Sequence, residues 1–242
     1  MSRIRARIRP CPAALAAAVV GLVLGCSGGE GAVDVSSGGP GPASTVAGPE
    51  STVTGSAASS ATPTPHDTGT RNRDASLSIP AIGLTGLRVV PYEGTTDDWP
   101  GTRIQNRGFG ASPYGRRGGV GPGEVGNYLV TAHRLSAGGP LRELPTLDEG
   151  DPVRVTSGGT VYEYVITGTR ETSFRSERSL AEQRAAVPGF PDRRPTQAMI
   201  TLSTCATPED NAAGNYWRDD RGNPEHRIDK VGVLASRSTV VE

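Results

Sequence analysis

From residue 75 onward, hydrophobic and polar positions fall into short apolar runs separated by turn residues. Leu77-Ser78-Ile79-Pro80 and Leu87-Arg88-Val89-Val90-Pro91 read as two short strands around an Ile82-to-Gly86 turn. Residues 94–126 hold ten glycines and several prolines and read mostly as loop. Asn127-Tyr128-Leu129-Val130-Thr131-Ala132 is a strong strand that ends in His133-Arg134. Pro140 to Leu144 suits a single helical turn. Residues 151–170 give the clearest hairpin: Val153 and Val155, a Ser157-Gly158-Gly159-Thr160 turn, then Tyr162, Tyr164 and Ile166 alternating on one face. Arg178 to Ala186 is weakly helical and stops at Pro188. Gln197 to Cys205 is a buried strand that delivers a cysteine to its C-terminal end, and Ala206 to Asn211 reads as loop. Lys230 to Ala235 is the last strand. Many short strands with little helix predict an all-β domain, closed or sandwiched.

The first 74 residues follow different rules. Arg3, Arg5, Arg7 and Arg9 precede an apolar run over residues 13–24, and Val23-Leu24-Gly25-Cys26 follows it. Those are the parts of an export signal, and the last four residues resemble a bacterial lipobox. The run is shorter than the ~20 residues of a spanning helix. We therefore expect residues 1–25 to be a signal peptide with Cys26 as the lipid-attachment site. An uncleaved signal anchor is the alternative. Either places the rest of the chain at the extracellular face of the cytoplasmic membrane. Residues 26–74 are rich in Gly, Ser, Thr and Pro and cannot bury enough apolar surface to offset their ordering entropy. They are expected to be a disordered tether, its central about 45 residues spanning on the order of 35–40 Å as a flexible coil. Residues 75–242 form the folding unit.

Charge narrows the partners. The chain carries 25 basic and 25 acidic residues; without the four leader arginines, 21 and 25 remain, a net of −4. The later arginines are scattered and not interleaved with aromatics, so nucleic acid is not an expected partner. Asp97-Asp98, Glu143 and Asp148-Glu149 are dispersed without calcium-loop spacing; they are expected to be solvated surface. No metal site and no cofactor is expected.

Of the 3 cysteines, Cys11 and Cys26 belong to the leader, which leaves Cys205 without an intramolecular partner in an oxidising compartment. Such a thiol is a candidate reactive group. A nucleophilic cysteine needs a base or acid and a group to hold the oxyanion. His66 lies in the tether, so His133 and His226 are the candidate bases. His133 follows a strong strand, as Cys205 ends one. Two such strands side by side would bring both side chains to one rim.

Three segments resemble the signatures of the sortase family: Gly126-Asn127-Tyr128-Leu129-Val130-Thr131-Ala132-His133-Arg134, Thr201-Leu202-Ser203-Thr204-Cys205, and Arg227-Ile228-Asp229-Lys230-Val231-Gly232-Val233-Leu234. Residues 78–84, 140–144 and 150–153 add to the likeness, which covers about residues 75–237 in order. Ala132 stands where many sortases have Gly.

The resemblance implies a sortase-like eight-stranded β-barrel with short helices and long loops. It implies that Cys205 is the nucleophile, His133 the general acid/base and Arg227 the oxyanion-stabilising cation. Arg227 is preferred to its neighbour His226 because it opens the last strand segment, and Arg134 is read as structural. The activity implied is that of a cysteine transpeptidase. It would cleave a Leu-Pro-x-Thr-Gly sorting motif, or the Leu-Ala-x-Thr-Gly variant of actinobacterial class E enzymes, through a thioacyl intermediate. The partners implied are secreted proteins with C-terminal sorting signals and a peptidoglycan-precursor amine. The competing readings are an exported cysteine hydrolase and a non-catalytic surface lipoprotein that binds wall polymers.

Overall fold

A computed structural model describes Gly69 and residues 71–240. The leader with Cys26 and the tether to residue 68 lie outside the described residues.

Eight strands close into a barrel: β1 (Ala75–Ile79), β2 (Leu84–Glu93), β3 (Gly110–Tyr114), β4 (Gly126–Thr131), β5 (Pro152–Ser157), β6 (Thr160–Ser173), β7 (Ala198–Cys205) and β8 (His226–Thr239). Around the wall the order is β1-β2-β3-β4-β7-β8-β6-β5, and β5 pairs back onto β1. Closure gives every strand a neighbour on both sides, β3 meeting β4 only through Ala111 and Thr131. Only β2 with β3 and β4 with β7 run parallel. Ser157 pairs with Thr160 across the expected Gly158-Gly159 turn. Both glycines have positive φ, 57° and 76°, where a Cβ would be strained.

Inward-facing Leu77, Ile79, Val89, Tyr128, Val130, Val153, Val155, Tyr164, Ile166, Ile200 and Leu202 fill the barrel. Leu141, Leu144 and Leu147 plug it from the segment after β4. Ala198 to Thr204 of β7 are buried throughout, as expected of a strand with parallel and antiparallel neighbours covered on both faces. Each such aliphatic side chain contributes roughly 1.5–3 kcal/mol of burial.

Four segments depart from expectation. Residues 94–126 include α1 (Trp99–Gln105) and β3. Asp98 caps α1 by accepting from Gly101 N at 2.9 Å, and Pro100 lies in the first turn, where its missing N–H costs nothing. Residues 206–211, expected to be loop, contain most of α3 (Thr207–Ala212); Pro208 there starts a helix. The helical turn expected at 140–144 is a 3₁₀ turn at Leu144–Thr146. The weak helix is α2 (Glu177–Arg184), capped by Ser176. The last strand runs well beyond 230–235 at both ends.

Candidate active site

Cys205 is the last residue of β7 and pairs in register with Arg227 of β8. On its other side β7 lies parallel to β4, with Thr131 opposite Ser203. Ala132 N donates to Ser203 O at 3.2 Å, which carries the pairing one step beyond β4. The next residues along the two strands are His133 and Cys205. Strand ends from β4, β7 and β8 thus bring His133, Cys205 and Arg227 to one rim of the barrel.

Arg227 is 2% exposed. Its Nη1 donates to Cys205 Sγ. Its Nη2 donates to Asn223 Oδ1 at 3.2 Å and lies 3.1 Å from Asp97 Oδ1. The guanidinium also sits over the Phe174 ring, 4.6 Å from its centroid, a favourable stacking for a planar cation. Strand alternation separates Arg227 from its neighbour: His226 points elsewhere, with Nδ1 2.6 Å from Asp210 Oδ1. The structure therefore puts Arg227, and not His226, against the thiol.

His133 is half-buried, and its Nε2 lies 2.7 Å from Asn106 Oδ1 at the C-terminus of α1. Where Nε2 donates to this amide oxygen, Nδ1 is the nitrogen left to exchange a proton. Arg134 is engaged elsewhere. It donates to Cys205 O at 3.4 Å and to Arg142 O at 3.3 Å, and it pairs with Glu209 of α3. It braces the backbone of the thiol-bearing residue.

Burial pushes the Cys205 thiol up from its ordinary range; Arg227 opposes this and Asp97 adds to it. Burial and then Arg227 push His133 down, against Asp97. At neutral pH the resting pair is a thiol and a neutral imidazole.

A groove of about 340 Å³ runs over these residues, lined by Cys205, His133, Asn106, Trp99, Leu135, Arg218 and Asn223 among others. Trp99 and Leu135 are exposed apolar groups at its edge, 53% and 47%. Beneath the rim, Gln183 of α2 ties the strands together. Its Nε2 donates to Ser203 Oγ at 3.2 Å and to Asp229 Oδ1 at 3.0 Å, and Thr172 Oγ1 donates to Asp229 Oδ2 at 2.6 Å.

Sequence reading missed four residues of this site: Asp97, Asn106, Phe174 and Asn223. Asp97 corrects an expectation outright, because it is 3% exposed and ion-paired and not a solvated acid. Glu143, Asp148 and Glu149 are exposed as expected. Among the described residues, no cluster of three or more His, Cys, Asp or Glu could hold a metal ion.

A strand-end thiol beside a buried guanidinium on a closed barrel is the arrangement that the resemblance to sortases, a family of cysteine transpeptidases, implies. The family comparison gives the same answer: the sortase-domain model matches residues 77–217, and the chain belongs to the sortase family. Sortase E from Streptomyces avermitilis is 27% identical, with a TM-score of 0.51, covering 71% of this chain and 93% of that one. A sortase from Actinomyces oris is 23% identical, with a TM-score of 0.53 and coverages of 71% and 84%. Sortase E1 from Streptomyces coelicolor, solved with a tripeptide in its active site, is 20% identical, with a TM-score of 0.52 and coverages of 69% and 91%. The last two show the shared fold. No curated protein matches the sequence.

Proposed function

We propose that the chain is a class E-like sortase that cleaves a Leu-Pro-x-Thr-Gly or Leu-Ala-x-Thr-Gly sorting motif and passes the acyl group to a cell-wall peptide amine. The observation that carries this reading is the register pairing of Cys205 with Arg227 and its bond from Nη1 to Sγ.

Sγ, as thiolate, attacks the carbonyl of the scissile peptide bond. The electron pair of the C=O moves to oxygen, and Arg227, always charged and held by its neighbours, lies where it can stabilise that oxyanion. His133, as imidazolium, gives its proton to the departing amine as the C–N bond breaks, leaving a thioester. An incoming amine attacks the thioester and gives a proton back to His133, and Cys205 leaves as thiolate. Without an amine, water completes the cycle slowly. Because burial favours the neutral thiol and the neutral imidazole, only a minor fraction of resting enzyme carries the competent charge pair.

The export signal, the lipid at Cys26 and the extracellular location belong to the same proposal, supported by the residue pattern of the leader. The enzyme then acts at the membrane surface, where both sorting signals and wall precursors emerge.

The test is a fluorogenic peptide assay with Leu-Pro-x-Thr-Gly and Leu-Ala-x-Thr-Gly substrates and an amine acceptor. Cleavage of at least one, with an amine-linked product, is expected. Absence of cleavage of both by folded enzyme sinks the motif assignment.

A further inference from the structure

Asp97 reaches the site from the loop between β2 and α1, a part of the chain to which the chemistry above assigns no role. It is 3% exposed, and its φ of 58° places a non-glycine residue in the left-handed region. Such a backbone costs free energy and persists where the surroundings hold it. Its Oδ1 lies 3.1 Å from Arg227 Nη2 and accepts from Gln105 Nε2 at 2.9 Å. Gln105 Nε2 also donates to Thr131 Oγ1 at 3.1 Å, two residues before His133. The next residue, Asp98, is fixed as the cap of α1. The carboxylate is thus held by its own backbone, by α1 and by β4.

What Arg227 needs is orientation. The Phe174 ring 4.6 Å away fixes the plane of the guanidinium. Rotation within that plane is set by the acceptors of Nη2, which are neutral Asn223 and charged Asp97. With Nη2 held, the fork geometry of the group turns Nη1 toward Cys205.

We infer that Asp97 is the positioning residue of this site: its carboxylate clamps Nη2 of Arg227 so that Nη1 faces Cys205 Sγ and the oxyanion formed there. This rests on the reading of Arg227 as the oxyanion-side cation. Asp97 does not touch substrate; it acts through Arg227. Its negative charge also works against the thiolate, alongside the opposing charges of Arg227 and Arg134 that face Cys205. Geometry is what it contributes in return: a fixed donor placed at a developing charge.

The test compares Asp97→Asn, Arg227→Ala and the double variant. Product from a Leu-Pro-x-Thr-Gly or Leu-Ala-x-Thr-Gly peptide, whichever the wild type cleaves, is accumulated over hours and read by mass spectrometry, so that residual rates are measured. Folding of each variant is checked by circular dichroism. Asp97→Asn is expected to lower kcat by about 10- to 100-fold with KM within about twofold, and to add nothing in the Arg227→Ala background. An equal loss in both backgrounds, or unchanged or faster turnover in Asp97→Asn, overturns the inference while leaving the role of Arg227 standing. Full activity in Arg227→Ala overturns the role of Arg227 itself, and the inference with it. Should Asp97→Asn not fold, Gln105→Met removes the amide that holds the same carboxylate. A kcat loss of roughly 3- to 10-fold, absent in the Arg227→Ala background, supports the inference; no loss overturns it.

Discussion

Cys205 and Arg227 are register partners across β7 and β8, one the last residue of its strand and the other the second of its own. The pairing fixes the backbone separation of the thiol-bearing and cation-bearing residues by strand hydrogen bonds, and Asp97 and Asn223 then orient the guanidinium. A rigid sheet rim is suited to reactive groups whose relative placement must hold to within about 0.5 Å.

Substitutions at the three rim residues should separate their roles. Cys205→Ala is expected to abolish cleavage of a sorting peptide. His133→Ala should lower kcat/KM by about 10²–10⁴-fold, the range for a lost general acid/base. Arg227→Ala should lower it by about 10²–10³-fold, the range for one oxyanion donor. Steady-state kinetics on the fluorogenic peptide measure all three.

The pH dependence follows from the directions of the two shifts. Turnover needs His133 protonated and Cys205 deprotonated. Burial and Arg227 hold His133 below its ordinary value, while burial holds Cys205 above its own. The profile of kcat/KM should be a broad bell, with its acid limb below about 6.5 and its alkaline limb above about 8.5. Iodoacetamide alkylation of the folded protein should likewise speed up only above the ordinary thiol range. A midpoint well below it would contradict the burial argument.

The barrel was the most legible part of the sequence, and the reasons are local. Val153, Val155, Tyr162, Tyr164 and Ile166 alternate with polar residues, and a Gly-Gly turn fixes their register, so the β5–β6 hairpin follows from short-range pattern. β3 carries no such signal: Gly110, Ser112 and Pro113 are poor strand formers, held by pairing to the distant β2 and β4. α1 and α3 were masked by Pro100 and Pro208, which read as breakers from composition and act as first-turn residues in place. At the site, His133, Cys205 and Arg227 stand in motif segments. Asp97 and Asn106 sit among glycines and polar residues, and only the folded chain brings them to Arg227 and His133.

His226 offers a stability test that leaves the groove untouched. Burial alone would lower its pKa, but the hydrogen bond and charge of Asp210, with Glu171 and Glu225, raise it above the ordinary value. A raised folded-state value stabilises fully below the unfolded value of about 6.5 and fades as pH climbs through the folded one. His226→Gln should therefore lower the melting temperature by about 2–4 °C at pH 5.5 and by less at pH 9. A larger loss at pH 9 would reverse the sign and refute the pairing.

Leu202 lies three residues before Cys205 and is fully buried. Leu202→Ala removes core volume below the rim and should destabilise the domain by about 2–5 kcal/mol. Urea unfolding measures this; a loss under 1 kcal/mol would show that the rim is not supported by that part of the core.

The proposed lipid attachment at Cys26 has its own test. Metabolic labelling with a fatty-acid probe should mark the wild-type chain and not Cys26→Ser. Labelling retained in Cys26→Ser, or absent from both, would contradict attachment at that residue.

In the proposed cycle Cys205 forms the acyl bond. Intact-mass spectrometry of enzyme mixed with sorting peptide, with no amine present, tests it most directly. A mass increase equal to the acyl fragment is expected, located on Cys205 by peptide mapping and discharged by an added amine. Cleavage by Cys205→Ala, or an adduct that maps to any other residue, would contradict it.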